Sequence, residues 1–224
     1  MQRERPSVPK SEQDQIVQAL LDEHGRTYAE QLGIDLESGT PSPLFRWLCA
    51  AILMSARIRA EAAVDAARAL ADQGWTTADK MAAASWEERT RTLNQAGYAR
   101  YDESTARMLG DTAQMLQDKY QGDLRKLRDA AEREPERERA LLKECKGLGE
   151  VGVDIFMREA QSVWPELYPF ADRKARQAAA EVGLDDDPHA LADRVPRKDF
   201  PRLLTALVRA SLAGGLERVR ERAH

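Results

Sequence analysis

Leu142-Lys143-Glu144-Cys145-Lys146-Gly147-Leu148-Gly149-Glu150-Val151-Gly152-Val153-Asp154-Ile155 is the stretch that decides the fold. It reads as the end of one helix, a tight Gly-Leu-Gly turn and the start of a second helix. Two glycines one residue apart let the backbone turn sharply and meet a ligand with no side chain between. The first amides of the second helix have no partner inside it, and their partial positive charge suits a phosphate. Leu142, Cys145, Leu148 and Ile155 are spaced to pack the two helices together, with Gly152 at their close approach. Turn chemistry alone supports a helix corner without a ligand equally well.

Outward from this turn, helical signals recur from end to end, and no period-2 run bounded by turn residues interrupts them. The chain is therefore expected to be all-α. A helix capped near Ser11 carries Ile16, Val17, Leu20 and Leu21 on one face and ends by Gly25, and residues 33–43 form a connector. Ser42-Pro43 starts a strongly apolar helix through Leu44, Trp47, Leu48, Ala51, Ile52 and Ser55. An Ala-rich helix spans Ala60 to Ala71 with its exit at Gly74. Ser85-Trp86-Glu87-Glu88 is a capping box opening a helix to about Gln95. After the loop Gly97–Tyr101, the 3.6 period returns from Asp102 to Tyr120, and further helices start at Leu124 and Pro135. The mixed-charge stretch Glu132 to Arg139 reads as a solvated helix face. A helix from Arg173 to Val182, a linker at Asp185–Pro188 and a last helix from Pro201 to about Arg218 complete the chain.

The chain has 224 residues, 42% of them hydrophobic and 32% charged, enough for one large domain or two lobes with a core that needs no disulfides. No apolar run approaches a bilayer span, and the opening Met1-Gln2-Arg3-Glu4-Arg5 leads into polar residues and not an apolar signal core. A cytoplasmic, nucleoid-associated monomer without membrane contact is expected. Cys49 and Cys145 with His24, His189 and His224 complete no metal-ligand spacing, which excludes a structural zinc or an iron–sulfur cluster. Thirty-four basic against 38 acidic side chains give a net charge of −4, so any nucleic-acid contact must be local.

The hairpin, spanning about residues 136–163, resembles that of the helix-hairpin-helix DNA glycosylase superfamily, the endonuclease III-like group. The resemblance runs from about Ser42 to Leu184. Pro43-Leu44-Phe45 through Ser55-Ala56-Arg57 resembles the early core helix and the loop after it, and Leu93 to Tyr98 a second DNA-facing loop. Tyr168-Pro169-Phe170-Ala171-Asp172-Arg173-Lys174 lies where the family carries its catalytic aspartate. The resemblance implies a two-lobed helical fold with a cleft between the lobes: residues 1–40 with 165–224, and residues 41–164. It also implies DNA repair by base excision on double-stranded DNA carrying a damaged base. On it, Asp172 is catalytic. Lys146, Gly147, Leu148, Gly149, Arg57, Tyr98 and Lys174 bind DNA, with Arg57 and Tyr98 on the loops that supply wedges for base extrusion. Tyr168 and Phe170 line the base pocket with Trp47, whose place on an apolar stripe is read more simply as core. The carbonyls of Lys143, Cys145 and Leu148 hold a monovalent cation, sodium or potassium, the one cofactor it implies.

The sequence departs from that pattern at three places. The position of the sugar-attacking lysine of bifunctional members is Val151, which forms no Schiff base. Ala51-Ile52-Leu53 lacks the glutamate of the adenine-removing branch, and the C-terminal cluster cysteines are absent. A monofunctional glycosylase is expected, beside two alternatives: a helix-hairpin-helix DNA-binding protein without catalysis, and a hairpin used for protein contacts. Glu150 beside the turn and the acidic charge balance favour the alternatives. Asp172 favours the enzyme, although an N-cap for the following helix explains an aspartate there as well.

Overall fold

The structure, a computed structural model, describes residues 10–222. Met1–Arg5 and His224 lie outside the described residues. The described chain is all-helical, without a strand. In order the helices are α1 (Lys10–His24), α2 (Tyr28–Gln31), α3 (Pro41–Met54), α4 (Ala60–Asp72), α5 (Ala78–Ala83), α6 (Trp86–Gln95), α7 (Asp102–Tyr120) and α8 (Leu124–Ala130). They continue with α9 (Pro135–Leu142), α10 (Glu150–Ala160), α11 (Arg173–Val182), α12 (Pro188–Ala192), α13 (Phe200–Leu212) and α14 (Leu216–Arg222). No helix among the described residues is long and apolar enough to cross a membrane.

The chain divides into two compact units, residues 29–167 and the described residues up to Tyr28 together with those from Tyr168 onward. The boundaries expected from sequence, 40/41 and 164/165, thus move outward. Residues 29–39 belong to the central unit because Leu32, Ile34 and Leu36 are buried and the Arg46 guanidinium donates to the carbonyls of Leu32 (3.0 Å) and Gly33 (3.2 Å). Residues 165–167 belong there because Glu166 is gripped by Arg128 of α8 through two hydrogen bonds.

In the central unit α3 is the axis, packed against α4, α7, α8 and α10. Leu44, Trp47, Leu48, Ala51 and Leu53 are fully buried, as the apolar run demands. Trp47 can sit in a dry core because its indole N–H donates to the Phe156 carbonyl (3.0 Å), which satisfies its polar atom. Ser85 and Glu88 form the capping box in both directions, at 3.1 and 2.7 Å. Arg89 is buried, its guanidinium donating to the carbonyls of Met81, Ala84 and Ala106 and so tying α5, α6 and α7 together. A Cβ on Gly110 would stand 2.3 Å from that guanidinium, so the glycine makes its space.

The other unit is built from α1, α11, α12, α13 and α14. Ala175, Ala178 and Ala179 give α11 a flat face on a core of Ile16, Leu20, Phe200, Leu204 and Leu207. The single last helix read from the sequence is in fact two, α13 and α14. Gly214 takes a positive φ of 65° and breaks the run, a conformation open to glycine at little cost. The expected linker 185–188 contains the start of α12, because Asp187 caps the amides of His189 (2.9 Å) and Ala190 (3.0 Å).

Candidate nucleic-acid interface

The helix-turn-helix read at 142–155 forms as α9, a turn over 143–149, and α10. Leu142, Cys145, Leu148 and Ile155 are buried beneath it. The two glycines of the turn have different duties. Gly147 has a φ of 83°, and a Cβ there would meet Met108 Sδ of α7 at 2.8 Å and Ile52 Cγ2 of α3 at 3.1 Å. Gly149 is the N-cap of α10 in extended conformation, and a Cβ there would meet nothing within 4 Å. No side chain caps α10, so the amides of Glu150, Val151 and Gly152 begin the helix without a capping acceptor. Gly152 is the close approach: its Cβ would stand 2.4 Å from Ser55 Oγ and 2.8 Å from Leu148 Cδ1.

The end of α3 therefore lies against the hairpin, and the loop after it carries the exposed Arg57. From α7, Thr112 Oγ1 donates to the Lys146 carbonyl (3.1 Å) and fixes the turn from below. Between the turn and the 99–104 segment lies an open pocket of about 610 Å³, lined by Arg100, Arg107, Met108, Lys146 and Gly147 along with Asp102, Glu103 and Asp111. Three elements far apart in sequence thus meet at one face of the central unit: the hairpin, the end of α3 and the start of α7.

The two glycines give a paired prediction. Gly149→Val is expected to leave thermal unfolding within a few degrees of wild type, since its side chain enters open space. Gly147→Val, strained by its positive φ and blocked by Met108 and Ile52, is expected to cost about 3 kcal/mol or more. Thermal unfolding of both variants checks it, and equal midpoints would refute the division of labour.

Electrostatically the hairpin is largely self-neutralised. Glu150 is bonded by Lys143 and by Arg139 (3.1 Å), and Arg139 reaches Asp154 (2.7 Å) with its other arm. The hydrogen bond from Lys143, with Arg139 in support, holds the Glu150 carboxyl below the usual carboxylate range. Lys119 is paired with Glu144 at 2.7 Å. Lys146 and Arg57 are exposed and make no ion pair among the described residues. Val151, in the second position of α10, is 62% exposed.

Two aromatic expectations are corrected. Tyr98 is fully buried, its hydroxyl donating to the Leu53 carbonyl (2.7 Å), and burial pushes the phenol up to about 12. It is a core residue and not a wedge; Gly97, Ala99 and Arg100 are exposed in that loop. Trp47, equally buried and bonded to Phe156, lines no base pocket. Tyr168 and Phe170 lie in the other unit and are half-buried. Tyr168 packs edge-on against Phe200 (5.5 Å) with Arg197 over its ring (4.4 Å). Cys49 and Cys145 are buried thiols with raised pKa values, Cys145 up to about 12, caused first by burial, so neither offers a thiolate near neutrality.

Asp172 is 4% exposed and caps α11, its Oδ1 accepting from the amides of Lys174 (3.0 Å) and Ala175 (3.3 Å). Arg173 and Lys174 on the same turn are exposed. The carbonyls of Lys143 and Leu148 accept no backbone amide among the described residues, while that of Cys145 accepts from Leu148 (3.1 Å). Such oxygens on a tight turn are compatible with a hard monovalent cation. No group of three or more His, Cys, Asp or Glu among the described residues is arranged to hold a metal ion.

No family model matches the chain, and no curated protein matches it. A solved structure of a trapped covalent intermediate between endonuclease III and DNA, an estranged-adenine complex, is similar at 17% identity, covering 73% of this chain and 71% of that one, with a TM-score of 0.47.

Sequence reasoning missed two features of this face. Met108 at the turn gave no signal beyond an ordinary helical position. The Arg139–Glu150–Lys143 network was in principle legible, because Arg139 on α9 and Lys143 at its C-cap are four apart. The charged stretch 132–139 is also not wholly solvated, since Glu138 is fully buried.

Proposed function

We propose that this chain is a DNA-repair glycosylase that hydrolyses the bond between a damaged base and its deoxyribose in duplex DNA, without Schiff-base chemistry. The observation that carries the reading is the open start of α10, where a glycine N-cap with free space around it leaves three amides uncapped beside Lys146. A phosphate oxygen accepts from such amides, and the missing side chain at Gly149 lets the strand approach. Lys146 and Arg57 add point charges, with Gly147 and Leu148 holding the turn, and Lys174 in the other unit is a further candidate for DNA contact. A monovalent cation on the carbonyls of Lys143, Cys145 and Leu148 would supply further positive charge beside that phosphate.

For the chemistry, Asp172 is the candidate. Its carboxylate, held in place by two amides, would stabilise the positive charge that develops on the sugar as the base departs with the bonding electrons. Water then adds to the sugar carbon and loses a proton, leaving an abasic site. Val151 offers no amine, so the strand stays intact. Tyr168 and Phe170, a few residues before Asp172, are the aromatic candidates for contact with the base, and the protein acts as a monomer in the nucleoid.

The second reading, duplex binding without catalysis, draws on Glu150 and on the structural role that capping α11 gives Asp172. Incubation with duplexes carrying oxidised, deaminated and alkylated bases, followed by alkali, separates the two. Strand cleavage after alkali alone, with no covalent adduct trapped by borohydride, is the expected result. A trapped adduct would overturn the monofunctional mechanism, and binding without release of any base would leave the second reading.

A further inference from the structure

We infer that Glu150 is a built-in competitor for the DNA phosphate, keeping Arg139 and Lys143 engaged within the hairpin until a phosphate takes its place; this rests on the duplex-binding reading above. Glu150 is the first residue of α10, so its carboxylate sits at the helix end where an anion is favoured. It takes a hydrogen bond from Lys143 and another from Arg139 (3.1 Å), and Arg139 is held on its other side by Asp154 (2.7 Å). Over residues 139–155 there are thus three cations, Arg139, Lys143 and Lys146, against three anions, Glu144, Glu150 and Asp154, and Lys146 alone of those cations has no ion pair among the described residues.

The Lys143–Glu150 pair is built to exchange. Glu150 and Lys143 are 64% and 41% exposed, and ion pairs in water of this kind are weak and readily traded for another anion. A phosphate arriving at the α10 amides would meet the Glu150 carboxylate in the same small region, and binding requires Glu150 to yield its cations. The effect is to lower affinity for undistorted duplex, where the hairpin would otherwise grip any phosphate regardless of sequence. Specificity then falls to contacts made only at the lesion.

Glu150→Gln keeps the size and removes the charge. It is expected to bind a short fluorescein-labelled duplex about ten-fold more tightly at low salt, and to steepen the slope of log affinity against log salt by about one to two. Adding Lys143→Met to the Gln variant should remove most of that gain, since the released cation supplies it. Glu150→Ser, which suits a first helical turn, carries the same expectation should the Gln variant fold poorly. If wild type binds and Gly149→Val weakens it, yet neither Glu150 variant gains affinity or slope, the competitor role is overturned and the duplex-binding reading stands. If wild type and both variants fail to bind, the duplex-binding reading itself falls and the competitor role with it.

Discussion

Asp172→Asn is expected to slow base release by about a thousand-fold. Folding and duplex affinity should be retained, because asparagine caps a helix as well as aspartate does. Its side-chain oxygen can keep the bonds to the amides of Lys174 and Ala175, so the cap survives while the negative charge is lost. That separation makes the variant informative, since a residue acting only as a cap would leave turnover near wild type. Single-turnover assays on whichever duplex releases a base in the panel, alongside thermal unfolding and anisotropy, give the three readouts. Asp172→Ala is the contrasting variant: it loses cap and charge together and is expected to cost about 1 kcal/mol of stability besides the activity. Full activity in Asp172→Asn would reduce Asp172 to a helix cap and require another residue to stabilise the sugar cation.

What sequence made legible here is what local chemistry dictates. Ser85 and Glu88 announce a capping box because both halves lie within one helical turn. Gly147 and Gly149 announce a hairpin because two glycines one residue apart mark a sharp turn, and Gly147, at a φ of 83°, holds a backbone that few other residues tolerate. The direction in which an aromatic points is set by distant partners and was not legible. Tyr98 follows Gly97 on a loop, and its neighbours in sequence do not reveal that the Leu53 carbonyl, 45 residues earlier, waits for its hydroxyl. Trp47 was better marked, since it falls on an apolar stripe, yet a stripe serves a core and a stacking pocket alike until Phe156 supplies the acceptor. Glu138 was hidden for the opposite reason. Glutamates and arginines surround it in sequence, and only the tertiary packing of α9 turns this one inward.

That buried glutamate gives the other large expectation. Both Glu138 oxygens lie out of solvent with no donor in reach, and the group beside them is another acceptor, the Glu166 carboxylate, whose charge is met by Arg128 of α8. Two carboxyls facing a single close guanidinium, with the more distant Arg133 adding a weaker field, bond to each other only if one holds a proton. Burial first, and then Glu166, push the Glu138 carboxyl from 4.5 up to about 8, while Glu166, bonded by Arg128, is lowered. Between those two values the folded chain holds a proton that the unfolded chain has released. The stabilisation is therefore whole below pH 4.5, declines as pH rises through the window and is gone above about 8. Glu138→Gln supplies a permanent N–H donor to Glu166 and has nothing to ionise. It is expected to flatten the stability profile, unfolding at higher denaturant than wild type at about pH 9 while the two converge near pH 4. Because α9 is the first helix of the hairpin, the same substitution should hold DNA affinity steadier on the alkaline side. Parallel pH profiles for the two proteins would show that Glu138 is ionised in the fold, and would require a cation near its oxygens that Arg128 does not provide.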